Sequence, residues 1–301
     1  MRAVVIHETG GPEVLSFEDV ERPQPGEGEV LIEVKAASVN PIDWKIRRGV
    51  REIAMPKILG NDASGVVVVS LAEGFAAGDE VFGIVASGGY AQFATAPAGA
   101  IAKKPAGLSH EQAACLPVAG MTAWQALFDH GKLDAGQRAL IAGGAGGVGH
   151  LAVQFAKHAG AHTIATGSPR NRDFILGLGA DEYVDYTSQD VGEAVGDVDV
   201  AFDAVGGDTT ASLVPTLREG GVLVTIANAP PEQAAAQRGA RAVVFSMSPS
   251  SEQLQGIAAL VAEGTVRLEI AESFPLEEAR KAHELSEAGH TRGKIVLTVS
   301  S

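Results

Sequence analysis

Residues 138–158 read RALIAGGAGGVGHLAVQFAKH, and this stretch decides the fold. RALIA is an apolar run of strand length. GGAGGVG, from Gly143 to Gly149, is a glycine-rich turn. HLAVQFAKH then places apolar residues at helical spacing. A glycine string alone is a weak signal, but between a strand and an amphipathic helix it has a mechanism. Early glycines allow a tight turn, middle ones let backbone amides approach a pyrophosphate, and the last permits close helix–sheet contact. The helix N-terminus adds unpaired N–H groups and partial positive charge. A dinucleotide is therefore expected on Gly144, Ala145, Gly146, Gly147 and Val148.

The next strand end selects the dinucleotide. An NAD site offers Asp or Glu to the ribose 2′-hydroxyl about 20 residues beyond the turn. Here residues 166–172 read TGSPRNR, without an acid. Gly167 brings the backbone close, Ser168 can donate to a 2′-phosphate, and Arg170 or Arg172 can pair with it. NADPH is expected rather than NADH. Tyr186, at the end of the third strand, either reaches the same pocket or is a strand-end aromatic.

Outward from the turn, the pattern differs on the two sides. From Arg138 to about Met247 strands alternate with helices, which implies right-handed βαβ units and a parallel sheet. Before residue 108 short β-branched runs are spaced by Gly and Pro, as in a barrel or sandwich. Ser109 and Gln112 have capping-box form, and a second helix is expected over about 122–131. After a helix near 251–263, a strand is expected over about 266–274 and a closing strand over 294–299. The expected domains are 1–115, completed by 265–301, and a dinucleotide-binding domain over 116–264.

Composition narrows the function classes. The 301 residues carry a net charge of −14, which argues against nucleic acid or an anionic membrane as partner. No apolar run approaches the roughly 18 residues of a membrane span. The N-terminus lacks the apolar core of a signal peptide. The single cysteine, Cys115, rules out an intramolecular disulfide and fits a reducing cytosol, so a cytoplasmic protein is expected. Cys115 reads as buried and inert, His7 as a surface residue.

With these residues in place, the chain resembles the medium-chain dehydrogenase/reductase superfamily, in its zinc-lacking quinone oxidoreductase (zeta-crystallin-like) branch. The resemblance rests on SVNPIDWKIRRG at 38–49, PKILGNDASGVV at 56–67, GDEVFG at 78–83, GGYAQF at 88–93, LPVAGMTAWQAL at 116–127, LGADEYVDY at 178–186, FDAVGG at 202–207 and GKIVL at 293–297. It implies an α/β fold: a doubly wound parallel Rossmann sheet plus a GroES-like β-rich catalytic domain. It also implies a homodimer and hydride transfer from NADPH to a quinone or an α,β-unsaturated carbonyl. The alternatives are a pathway-specific enoyl or enone reductase, or a non-enzymatic NADPH-binding protein.

Zinc relatives hold their metal with Cys and His in segments that match SVNPID and LGND. Asn40 and Asn61 stand there, and LPVAGMT offers neither residue type, so no metal is expected. By resemblance Asn40, Asp43 and Thr122 are the catalytic-site residues, and Val205, Asn228 and Arg292 join the cofactor set. Asn40 either bonds a substrate carbonyl or nicotinamide ribose, or satisfies turn backbone. Asp43 orients its loop. Thr122 contacts the cofactor near the nicotinamide or caps a helix. Tyr90 packs beneath the site or donates a proton. Lys294 reads as part of a solvated basic patch.

Overall fold

The computed structural model describes residues 1–227 and 229–300. Eight strands occupy the first third of the chain: β1 (Arg2–Ile6), β2 (Ser16–Asp19), β3 (Glu29–Val39), β4 (Lys57–Ile58), β5 (Asp62–Ser70), β6 (Glu80–Ile84), β7 (Phe93–Pro97) and β8 (Ile101–Lys103). Six more alternate with helices: β9 (Arg138–Ala142), β10 (His162–Gly167), β11 (Glu182–Asp185), β12 (Val198–Asp203), β13 (Leu217–Thr225) and β14 (Arg241–Val244). β15 (Ile270–Pro275) and β16 (Lys294–Thr298) follow. Met1–Met121, Pro249–Gly264 and Leu268–Ser301 form one compact unit; Thr122–Ser248 and Thr265–Arg267 form another.

The first unit is built around β3. Its second half pairs antiparallel with β16, from Ile295 opposite Val39, and its first half with β7. Its other edge pairs with β5, with register shifts between Leu31 and Ile32 and between Val34 and Ala36. Such irregularities bend a strand, and β3 thereby serves three partners in the order β15-β16-β3-β5-β6-β8. A smaller sheet runs β2-β1-β4. Ile6, Ile32, Ala63, Val81, Ile101 and Leu297 fill the core beneath them. Each of these Ile, Val and Leu side chains contributes roughly 1.5–3 kcal/mol on leaving water.

The second unit is a six-stranded, wholly parallel sheet in the order β11-β10-β9-β12-β13-β14. Numbered within the unit, that is 3-2-1-4-5-6, the doubly wound Rossmann order. β9 is buried along four of its five residues, as expected of a strand covered on both faces. The order reverses between β9 and β12, which opens a crevice at their carboxyl ends.

Three elements differ from the sequence expectation. The second helix runs Pro117–Trp124 and continues as a π-helical turn, Gln125–His130, rather than beginning at residue 122. Pro117 opens this helix because a first-turn residue needs no N–H donor. Thr122 is therefore inside the helix and caps nothing. The strand expected over 266–274 is Ile270–Pro275. An unexpected helix, Pro41–Arg47, follows Asn40, with Pro41 at its first position and Asp43 in its first turn. Among the described residues, no helix is long and apolar enough to cross a membrane.

Candidate functional site

In the second unit, the glycine-rich turn leaves β9 and enters the helix Gly149–His158. Gly143 turns the chain with φ of 76°, where only glycine is unstrained. A Cβ on Gly149 would stand 2.1 Å from the Gly143 carbonyl oxygen, so the helix packs where no side chain fits. Thr166, at the end of β10, ties the turn down: its hydroxyl accepts from the Gly143 N–H at 3.2 Å and its carbonyl from the Gly144 N–H at 2.9 Å. The Gly146 N–H closes the turn on the Gly143 carbonyl at 2.9 Å. The amides of Ala145, Gly147 and Val148 have no such backbone acceptor among the described residues. Bared amides before a helix N-terminus are the donor set a pyrophosphate requires.

The other cofactor candidates of this unit follow the carboxyl ends of the neighbouring parallel strands. Gly167 ends β10, Ser168 and Arg170 lie in the turn beyond it, and Arg172 opens a helix with its side chain 60% exposed. Asp173 lies 3.6 Å from Arg172, an exposed pairing that a phosphate can outcompete. Tyr183 donates to the Gly167 carbonyl at 2.8 Å and fixes that strand end. Tyr186 follows β11 and Val205 follows β12, both exposed. Asp203, which sequence reasoning passed over, shapes the Val205 loop. It is buried and accepts from the N–H groups of Val205 and Gly206 at 2.9 Å each. The residues present fit NADPH: a bare amide cradle, and at the second strand end a hydroxyl and two guanidinium groups in place of an acid. Asn228 lies outside the described residues. Thr122 belongs to this unit and is buried; Arg292 belongs to the first.

In the first unit, Asn40 and Asp43 are the visible part of a buried polar cluster. Asn40 is 3% exposed, and its carboxamide is committed on both sides. Its Nδ2 donates to Asp62 Oδ2 at 2.8 Å, and its Oδ1 accepts from Lys294 Nζ at 2.5 Å. Asp62 also accepts from Ser38 Oγ at 2.7 Å and from the Val118 N–H at 3.0 Å. Asp43 Oδ2 accepts from the Asn40 N–H at 2.8 Å and from Tyr90 Oη at 2.9 Å; Asn61 Nδ2 donates to its Oδ1 at 3.1 Å. The two asparagines at the zinc-relative positions thus each spend an N–H on a carboxylate.

Beyond Tyr90 the chain of bonds is directional. Arg47 Nη1 lies 3.2 Å from His283 Nδ1, and guanidinium can only donate. His283 Nδ1 is therefore the acceptor and Nε2 carries the hydrogen, aimed at Tyr90 Oη at 3.3 Å. Tyr90 in turn donates to Asp43. Arg47 is fully buried and is neutralised by Glu287 at 2.7 Å. Lys294 is close to Asp62 through Asn40. Among the described residues neither Asp43 nor Asp62 has a cation in direct contact; burial pushes the Asp43 carboxyl up to about 7, with the nearby Asp62 charge adding. Burial likewise raises Asp62, against the pull of Lys294. Burial, then Arg47, takes His283 down to about 3. Tyr90 is raised well above the phenol range by burial and by Asp43.

The reading of Lys294 as solvated is overturned: the side chain is buried and bonded. A lone cation inside the apolar closing strand GKIVL was the signal for it. Asp62, beside Asn61 at the start of an apolar strand, was visible in the same way. Arg47 and His283 gave no sequence signal. Cys115 is buried, and His7 is exposed beside Glu18.

Two family descriptions match the chain: an alcohol dehydrogenase GroES-like domain over residues 26–106 and a zinc-binding dehydrogenase over 178–297. A chloroplast envelope quinone oxidoreductase homolog of Arabidopsis thaliana is 35% identical, covering 96% of this chain and 95% of its own. An NADPH-dependent alkenal/one oxidoreductase of the same plant is 33% identical over 99% of this chain and 79% of its own. The quinone oxidoreductase from Coxiella burnetii superposes with a TM-score of 0.93 at 38% identity, covering 100% of this chain and 99% of that one. With the Rossmann strand order and the glycine-rich turn, these matches establish that the chain belongs to the medium-chain dehydrogenase/reductase superfamily, in its quinone oxidoreductase branch.

Proposed function

We propose that this protein is an NADPH-dependent oxidoreductase that transfers hydride, without zinc, to a quinone or an α,β-unsaturated carbonyl compound. The observation that carries the reading is the pairing of a bare amide cradle after β9 with an acid-free, arginine-bearing segment after β10. Gly144, Ala145, Gly146, Gly147 and Val148 hold the pyrophosphate. Ser168 and the arginines at 170 and 172 hold the 2′-phosphate, and Gly167, Tyr186, Val205, Asn228 and Arg292 complete the set. Bound NADPH supplies the hydride; the acceptor's own carbonyl activates the carbon that receives it.

The donor chemistry of the first unit argues against zinc. Carboxamides replace thiolate and imidazole, and the Lys294 ammonium already lies 2.5 Å from Asn40 Oδ1. A divalent cation there would face that charge. Asn40 and Asp43 then act by holding the Pro41–Arg47 segment and the acceptor wall in one geometry, and Thr122 lies at the nicotinamide end. Small-molecule acceptors fit this chemistry. A cytoplasmic location is supported by the lone buried cysteine. A homodimer is supported by the sheet-edge strand β14, where Val244 is 51% exposed. In that reading the unit containing residues 1–121 is the catalytic domain, and the unit containing 122–248 binds the cofactor.

Steady-state oxidation of NADPH against a panel of quinones and 2-alkenals tests the activity. Turnover with at least one class is expected. Tight NADPH binding without turnover of any acceptor would sink it.

A further inference from the structure

The first unit contains a cavity of about 470 Å³ that no role has yet been given. Its volume is in the range of small-molecule sites. Its apolar wall is Ile46, Ile53, Ile58, Leu59 and Val85. No aromatic ring is among the residues that line it. Two of the polar residues lining it are Asp43 and Asn61. Asn61 commits one amide hydrogen to Asp43, which leaves its second hydrogen and its Oδ1 for a ligand. Arg51 and Lys57 also line the cavity; the acids facing them are Glu52 and the buried Asp43, whose carboxyl burial pushes up to about 7. Neither cation has an ion-pair partner among the described residues. They belong to residues 45–57, KIRRGVREIAMPK, which hold five cations and one acid in a chain of net charge −14. Arg47 and Arg48 of that run are spent on Glu287.

Resting on the reductase reading, we propose that this cavity takes an aliphatic α,β-unsaturated carbonyl compound bearing an anionic group. Asn61 donates to its carbonyl oxygen, and Arg51 and Lys57 receive the anion. The wall decides the carbon skeleton. Flat rings gain from stacking on aromatic side chains, worth about 0.5–1.5 kcal/mol per pair beyond area. Branched aliphatic side chains offer contact without that term, so a polycyclic quinone gains nothing specific here. The charge decides the substituent. On a protein of strong negative charge, anions are repelled everywhere except at a local basic surface. The chemistry closes with hydride from NADPH going to the β-carbon and one proton from solvent to the α-carbon, which leaves the saturated ketone and NADP⁺.

The test compares 4-oxopent-2-enoate with its neutral isostere 4-oxopent-2-enamide. The ratio of their kcat/KM values is measured in the wild type and in the surface double variant Arg51→Gln/Lys57→Gln. The ratio should fall about tenfold in the variant, because two charge-assisted contacts are removed. Intrinsic reactivity cancels in that comparison. A second readout needs no turnover: the saturated analogue 4-oxopentanoate should raise the melting temperature of the wild type and not of the variant. Asn61→Ala should lower kcat/KM for both acceptors alike. A ratio unchanged within about twofold, with equal thermal shifts, overturns the charge assignment. Faster turnover of 9,10-phenanthrenequinone than of either aliphatic acceptor overturns the skeleton assignment. Failure of every acceptor, including simple quinones, overturns the reductase reading itself.

Discussion

Asp43→Asn isolates the energetic cost of a buried carboxylate that has no ion-pair partner among the described residues. In the folded protein burial raises Asp43 from the ordinary 3.8 to about 7. The folded state therefore holds this proton more tightly than the unfolded chain does. The sign follows: the contribution to stability is complete below about pH 4 and is lost as pH rises toward about 7. Three pKa units at 1.36 kcal/mol each give about 4 kcal/mol. Asparagine mimics the protonated carboxyl at every pH. Its oxygen can accept from the Asn40 N–H and from Tyr90, and rotation of the Asn61 amide offers an oxygen to the new NH₂. At pH 4 the two proteins should agree within about 1 kcal/mol, the worth of one rearranged hydrogen bond. Between pH 4 and 7 the variant should gain on the wild type by roughly 1.4 kcal/mol per unit, and above pH 7 the difference should level off. Urea unfolding of both proteins at half-unit steps measures this directly, and titrating groups that do not interact with Asp43 cancel in the difference. A difference that stays flat, or that moves in favour of the wild type as pH rises, would refute the reasoning. It would mean that the donors from Asn40, Tyr90 and Asn61 outweigh burial.

Three further outcomes follow from the same geometry. His283 is held neutral at about 3, below its ordinary 6.5, so its contribution is full above pH 6.5 and is lost as pH falls toward 3. His283→Gln, which can still accept from Arg47 and donate to Tyr90, should flatten the acid limb of the stability curve; an unchanged limb would count against the tautomer deduced here. Gly149→Ala forces a methyl to 2.1 Å from a backbone oxygen, and should cost about 2 kcal/mol or more and weaken NADPH binding at least about tenfold by fluorescence titration. Arg170→Glu/Arg172→Glu should abolish the larger thermal shift given by NADPH over NADH while leaving the NADH shift in place; a retained NADPH preference would displace the 2′-phosphate from this segment.

The glycine-rich turn between strand and helix was legible because its logic is local. Strand, turn and helix are consecutive in residues 138–158, and the glycine positions are required by backbone geometry within that stretch. The missing acid after β10 and the missing Cys and His at 40 and 61 were legible for the same reason: residue identity alone carries them. The ends of the barrel-like strands are less legible. Val30–Val34 is apolar, whereas β3 runs on to Val39 through Lys35 and Ser38, because a strand with partners on both edges keeps its ladder across polar residues.

The buried cluster was not legible, and the reason is separation. Lys294 and Asn40 are 254 positions apart, and Arg47 and His283 are 236 apart. A charged residue in a sequence reads as solvated, since an isolated buried charge is costly. Only the pairing of β16 with β3, and the packing of the 279–288 helix near Arg47, supply the partners that make burial affordable. The sequence by itself determined the superfamily, the cofactor turn and the ligand types at residues 40 and 61. Tertiary structure alone decided that Asp43 is buried with no ion pair among the described residues, beside a cavity lined by aliphatic side chains and by Arg51 and Lys57, because charge balance in a core depends on which distant segments meet there.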